Sequence, residues 1–340
     1  MCSCRQHFGR PMKRAIYSMS GNPLYQPVDA SVTPRFAGIA TFMRTARHDI
    51  TADLDIALVG VPFDLGVNYR PGARQGPAAV REASRLIRRV HPVSGISPYD
   101  ISNVADVGDA PVNPLDFERS LKMIEAFYAS IHQVGARPIT IGGDHTVPLP
   151  ILRAIARQKP VGMLQIDAHA DTLDTLAGTK VNHATTFRRA VEEGLIDPKR
   201  VIQIGLRGSR FSPDDIAWGL DQGFTCVTMD AYEEMGRRAA IDLIAKVVGS
   251  QPLYVTIDID GLDPAYASGT GVPEIGGLSP RDVQVMLRSL QGRDIVGADI
   301  CEVAPCFDPS EMTAVTAANL MWELLCVTAD SHARRRQGRP

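Results

Sequence analysis

The chain predicts an α/β fold: a three-layer α/β/α arrangement with a central, mostly parallel sheet of about eight strands. Three observations carry that expectation. Short β-branched runs recur from about residue 54 to residue 300, helix-spaced segments separate most of them, and no linker interrupts the series. The runs are also apolar throughout, as strands buried on both faces of a parallel sheet must be.

In chain order the strand runs are Leu54 to Val61, Asn103 to Gly108, Pro138 to Ile141, Val161 to Ile166, Val201 to Gly205, Phe224 to Met229, Leu253 to Ile257 and Asp294 to Ile300. The clearest helix has apolar Phe117, Leu121, Ile124, Phe127, Tyr128 and Ile131 at spacings of three and four, which place them on one face. Further helices are expected over Pro77 to Val90, Val147 to Arg157, Thr185 to Glu193, Ala239 to Val248, Pro280 to Leu290 and Ala314 to Cys326. Residues 1–50 show no sustained periodicity and are expected to form an irregular arm that wraps a neighbouring subunit. Residues 51–328 then form one catalytic domain, and 329–340 a disordered basic tail carrying Arg334, Arg335, Arg336 and Arg339.

A length of 340 residues with 44% hydrophobic and 22% charged residues suits a globular protein with a large core. A net charge of −2 gives no electrostatic reason for a nucleic-acid partner. No apolar run approaches about 18 residues, so no membrane span is expected. Cys226, Cys301, Cys306 and Cys326 sit in apolar runs and are expected as buried thiols, while Cys2 and Cys4 fall in a polar stretch without a signal-peptide pattern. A reducing, cytoplasmic setting follows from these features.

Three segments carry the chemistry: Gly142-Gly143-Asp144-His145, Asp167-Ala168-His169-Ala170-Asp171 and Asp258-Ile259-Asp260-Gly261-Leu262-Asp263. Each follows a buried strand, and ligands of open parallel sheets bind beyond the carboxyl ends of strands. In extended chain, residues two apart point the same way, so Asp167, His169 and Asp171 converge, as do Asp258 and Asp260. A lone Asp at a strand end is ordinarily a turn or cap residue. Two alternating clusters with His145 are different, because several carboxylates in one cleft cost several kcal/mol per unpaired ion unless cations lie among them. Two histidines and four carboxylates exceed the three protein ligands of a catalytic zinc and suit two divalent ions that acidify a shared water.

These motifs, with Gly60-Val61-Pro62-Phe63-Asp64, Arg70-Pro71-Gly72, Gly269-Thr270-Gly271, Pro273-Glu274, Gly276-Gly277-Leu278 and Asp299 to Val303, resemble those of the ureohydrolases, the arginase and agmatinase superfamily. Within it the chain is most similar in pattern to the bacterial guanidinobutyrases and guanidinopropionases, from about residue 34 to residue 328. The resemblance implies hydrolysis of a guanidino group to urea and an amine, and a metal held by His145, Asp167, Asp171 and Asp258. It implies a second metal on His169, Asp167, Asp258 and Asp260, so that Asp167 and Asp258 bridge. Glu302 would hold the substrate guanidinium, His183 would shuttle a proton to the leaving amine, and Asp171 joins them as a catalytic residue. Manganese is the expected ion and nickel the alternative. A homo-oligomer, trimer or hexamer, is implied, with a homologous partner subunit as the variant.

The loop from Thr172 to Asn182 departs from the pattern: Leu173 stands where the guanidino-acid enzymes carry Asn, and Thr175-Leu176-Ala177-Gly178 lacks their aromatic. A guanidino acid or agmatine remains the first expectation, with an N-alkylguanidine or biguanide as the alternative. Two more distant classes are a single-zinc deacetylase-like amidohydrolase and a non-catalytic partner subunit.

Overall fold

The computed structural model describes residues 24–212 and 215–336, so Cys2, Cys4 and Arg339 lie outside the described residues. Eight strands form one sheet: β1 (Ile56–Gly60), β2 (Val104–Asp109), β3 (Arg137–Ile141), β4 (Val161–Ile166), β5 (Ile196–Leu206), β6 (Thr225–Thr228), β7 (Leu253–Asp258) and β8 (Ile295–Cys301). Their spatial order is β2-β1-β3-β8-β7-β4-β5-β6. Every neighbouring pair is parallel. The helices are α1 (Gly76–Ala83), α2 (Phe117–Gln133), α3 (Pro148–Ile155), α4 (Thr186–Glu192), α5 (Ala217–Gln222), α6 (Met229–Val248), α7 (Pro280–Arg288) and α8 (Met312–Arg336).

Two apolar cores lie on opposite faces of the sheet, which is the three-layer arrangement the sequence predicts. Residues of α6, α7 and α8 pack with Ile139, Ile257 and Ile300 on one face, and those of α2, α3 and α4 pack with Val59, Met163 and Tyr254 on the other. Local chemistry sets the helix ends. Asp116 caps α2 by accepting from Arg119 N, and Ser279 with Asp282 forms a capping box ahead of α7. Helix α1 stops at Ala83 and tightens into a 3-10 turn over Ser84–Leu86, short of the expected Val90. The cause is Ser84, whose hydroxyl donates to Arg81 O and accepts from Met43 N. Helix α6 begins at Met229, well before the expected Ala239, because Thr228 caps it; it kinks at Gly236, where φ is 76°. Helix α5, six residues long, is too short to show a period and was not predicted.

Three expectations are corrected. The tail is not a disordered end as far as Arg336: α8 continues to that residue. Ser331 donates to Arg293 O, Arg335 pairs with Asp294 at 3.0 Å, and Arg336 pairs with Asp55, so this end of the helix is tied to the sheet's amino edge, while Arg334 pairs with Asp330 of its own helix. The premise that no apolar stretch is long enough to cross a membrane is corrected by the same helix, but 83% of that window is buried inside the protein, as befits a core helix and not a span. Of the four described cysteines, all free, Cys301 and Cys326 are buried, Cys226 is half-buried and Cys306 is exposed. Cys306 escapes burial because Pro305–Phe307 forms a surface 3-10 turn beyond β8. The described part of the arm, from Leu24, packs on its own chain: Leu24 and Phe42 are buried, and Phe42 N donates to Asp106.

The register of the four central strands positions everything that follows. Ile141 of β3 aligns with Ile300 of β8, Ile300 with Ile257 of β7, and Ile257 with Ile166 of β4. The next residues, Gly142, Cys301, Asp258 and Asp167, therefore leave the sheet side by side. Truncation after Thr328 removes the helical end that binds Asp55, Arg293 and Asp294, and is expected to lower stability by roughly 1–3 kcal/mol. Thermal denaturation checks this, and an unchanged Tm would mean that the tail contributes nothing.

Candidate metal centre

Seven of the eight candidate residues emerge from these strand ends. His145 follows β3, Asp167, His169 and Asp171 follow β4, Asp258 ends β7 and Asp260 follows it, and Glu302 follows β8; His183 opens the 3-10 turn that leads into α4. The turn at Gly142-Gly143 is tight enough to exclude any side chain: a Cβ on Gly143 would lie 1.4 Å from the Phe63 carbonyl oxygen. Asp171 and Glu302 hold φ of 54° and 61°, a left-handed backbone that non-glycine residues rarely adopt and that recurs at functional sites.

The donor atoms converge in two groups. His145 Nδ1 lies 2.7 Å from Asp171 Oδ2, 3.1 Å from Asp167 Oδ2 and 3.4 Å from Asp258 Oδ2. His169 Nδ1 lies 3.2 Å from Asp260 Oδ2 and 3.6 Å from Asp167 Oδ1. Asp167 thus turns one oxygen to each histidine, the arrangement of a bridging carboxylate. Imidazole nitrogen with carboxylate oxygen is a donor set for divalent ions such as manganese or nickel.

The electrostatics describe a place made for cations. Burial would depress His145, yet its hydrogen bonds with Asp167 and Asp171 hold it well above its ordinary value. Burial is outweighed at His169 too, where Asp260 and Asp167 push the imidazole up to about 12. Asp258 is driven well above the carboxylate range by burial and by Asp260 and Asp167, while burial and Asp167 bring Asp171 to about 7. The protons that Asp171 and Asp258 retain occupy positions that positive ions would satisfy better.

Beside this cluster, Glu302 Oε1 accepts from His145 N at 2.9 Å and faces His183 Nδ1 at 3.9 Å. Burial and the nearby Asp144 raise the Glu302 carboxyl well above its usual range. Burial, with His169 and His145 close by, lowers His183 to about 4, so its ring is neutral at physiological pH. The pocket above, of about 310 Å³, is lined by Asp171, His183 and Glu302 at its floor and by Leu173, Leu176 and Val272 on its walls. The loop from Thr172 to Asn182 forms this rim, with Leu176 bridged to Thr179 across Ala177 and Gly178, both at positive φ.

Sequence reasoning missed several participants. Asn68 Oδ1 lies 3.2 Å from His183 Nε2, and Asp144 holds the Asn68 loop by accepting from Gly66 N at 2.7 Å. Asn68 follows β1, so the strand-end rule applied to that strand would have found it. Arg207 was also missed; its guanidinium donates to the carbonyls of Asp260, Gly261, Leu262 and Glu274, and so clasps the Asp260 loop. Protons and metal ions compete for Asp171 and His169, and a carboxyl brought to about 7 carries its proton below that pH. Manganese affinity is therefore expected to fall with pH from 8 to 6, and more steeply below 7 where Asp171 also takes up its proton, which titration at pH 6, 7 and 8 measures. Affinity independent of pH over that range would contradict the geometry.

Known proteins resemble this chain over most of its length. The Arginase family profile matches residues 54–326. Guanidinopropionase of Pseudomonas aeruginosa is 51% identical over 310 residues, covering 91% of this chain and 98% of that relative. Guanidinobutyrase of the same organism is 45% identical over 311 residues, covering 89% and 97%. Among solved structures, proclavaminate amidinohydrolase from Streptomyces clavuligerus matches with a TM-score of 0.85 at 38% identity, covering 88% of this chain and all of that one. With the family profile spanning most of the chain, and relatives matched over nearly their whole length, the chain belongs to the arginase family.

Proposed function

We propose that this arginase-family hydrolase cleaves the guanidino C–N bond of a guanidino acid, giving urea and an amino acid. The observation that carries the reading is Glu302 opposite His183, 3.9 Å apart at the floor of a pocket that opens directly on the carboxylate cluster. One divalent ion would be held by His145, Asp167, Asp171 and Asp258, and a second by His169, Asp167, Asp258 and Asp260. When bound, the ions, manganese before nickel, supply the Lewis acidity that makes a shared water reactive at neutral pH.

The remaining steps belong to the chain. A guanidinium entering the pocket meets the buried Glu302, whose ionised form is restored by pairing with that cation. The planar group is then oriented between the carboxylate and the metal ligands. Neutral His183, with Asn68 on Nε2 and Nδ1 turned toward Glu302, takes up a proton given up by the attacking water and passes it to the departing amine. Arg210 at the pocket mouth supports the acid as substrate: among the described residues it makes no hydrogen bond or ion pair, while Arg207 is taken up by carbonyls. Asp215 and Glu274 line the same mouth and would suit the amine of agmatine.

Leu173 and Leu176 favour a second reading, an N-alkylguanidine or biguanide, because an apolar wall accepts alkyl groups without leaving a polar group unpaired. The catalytic domain is taken to begin at residue 51 and, with the packed end of α8, to reach Arg336, in a cytoplasmic homo-oligomer, a trimer or hexamer. Exposed Phe36 and Ile39, beside the Arg35 and Arg85 clasp, support contact with like subunits.

Urea release from guanidinopropionate, guanidinobutyrate, agmatine, arginine, methylguanidine and dimethylbiguanide, each with manganese and with nickel, tests the proposal. The highest kcat/KM is expected for a guanidino acid. A preference for the alkylated compounds selects the second reading, and no urea from any compound rejects both. His183→Asn is expected to lower kcat by about 10²–10⁴-fold at little change in KM. Arg210→Ala should raise KM for guanidino acids and leave methylguanidine unaffected.

A further inference from the structure

Directly beneath the row of matched isoleucines lies a second register row that is polar and buried. Thr140 of β3 aligns with Asp299 of β8, Asp299 with Thr256 of β7, Thr256 with Gln165 of β4, and Gln165 with Gln203 of β5. In parallel strands, residues aligned this way project from the same face, so one layer of polar groups crosses the sheet under the site. All five are buried without exposure. A buried polar row costs stability unless every member is hydrogen-bonded, and this one is bonded upward to candidate ligands. Thr256 Oγ1 lies 2.8 Å from His145 Nε2, and Gln165 Nε2 donates to Asp167 Oδ2 at 2.7 Å, its own Oε1 fixed by Gln203 Nε2.

Proton accounting gives the row a direction. The Asp299 carboxylate accepts from Thr256 Oγ1 at 2.7 Å, from the Tyr254 hydroxyl and from Cys301 Sγ at 3.4 Å. Thr256 has a single hydroxyl proton, and Asp299 receives it. Toward His145 the same oxygen can only accept, so Nε2 carries the ring proton. Nδ1 faces Asp167, Asp171 and Asp258, so a metal ion that displaces the proton these carboxylates hold there would meet the lone pair of that nitrogen. A metal-binding histidine is ordinarily fixed by a partner on its other nitrogen; here a carboxylate one hydroxyl further away does so.

We infer that Asp299 is a positioning residue that acts through Thr256 to fix the tautomer and orientation of His145 at one of the two metal positions. This rests on the metal reading above, and it assigns Asp299 no contact with substrate or ion. Tyr254 holds the other carboxylate oxygen and keeps Asp299 in the plane of the row. His169 has no comparable link to Asp299, so the second metal position is independent of it.

Manganese titration of the metal-stripped protein, followed by electron paramagnetic resonance, tests the inference without measuring turnover. His145→Asn and His169→Asn identify which binding step belongs to which position. Thr256→Val and Asp299→Ala are each expected to weaken the His145 step by about 10–100-fold and leave the His169 step within about threefold. Thr256→Ser, which keeps the hydroxyl, should bind like the parent, and the double variant should be no weaker than the weaker single one. Equal weakening of both steps, no weakening, or additive losses in the double variant would overturn the inference. If Asp299→Ala fails to fold, the contrast between Thr256→Val and Thr256→Ser decides alone. A parent protein that binds no divalent ion rejects the metal reading and this inference with it.

Discussion

Four parallel strands ending in register are the constraint on which the site depends. Ile141, Ile300, Ile257 and Ile166 lie abreast across β3, β8, β7 and β4, and the chain leaves the sheet one residue later on each strand. Asp167 and Asp258 therefore start from neighbouring strands at one level, near enough for His145 Nδ1 to lie within 3.1 Å of one and 3.4 Å of the other. A one-residue slip of either strand would exchange its two faces and carry its carboxylate away from the cluster. The apolar cores on both faces oppose that slip, so packing holds together charges that would otherwise separate.

The electrostatics then follow from the packing. Carboxylates this close and this buried cannot all be ionised without cations, and the shifts divide accordingly. Asp167, between two imidazoles, is held below the usual range, whereas Asp171 and Asp258 are raised. The division matches the proposed roles: Asp167 sees both positions, and the others complete one position or share it. Below the site, the polar row from Thr140 to Gln203 carries hydrogen bonds from the sheet interior to His145 and Asp167. Above it, the only apolar rim residues that the sequence singles out, Leu173 and Leu176, shape what reaches Glu302.

Much of this was legible in the chain because strand ends and alternation are local properties. The alternating acids of Asp167-Ala168-His169-Ala170-Asp171 pointed to convergence, although the geometry is not a simple extended one: Asp171 reaches His145 through a left-handed backbone. The strands were recognisable from their β-branched runs, and the long helices from spacing. What stayed hidden depends on distant partners. Asn68 and His183 are 115 residues apart, and Arg207 binds carbonyls, which have no side-chain signature. The order of α8 beyond Ala329 comes from Arg293 and Asp294 and from Asp55, far earlier in the chain. Asp299 was visible only as part of a motif, since its meaning lies in register with Thr256 on the next strand.

Anomalous diffraction at the manganese edge, from crystals grown with the ion, tests the central claim most directly. Two peaks per chain are expected, one beside His145 Nδ1 and Asp171 and one beside His169 Nδ1 and Asp260, with Asp167 in contact with both. A single peak, or a peak among His145, Asp299 and Cys301, whose donor atoms also lie within 4.8 Å of one another, would contradict the account.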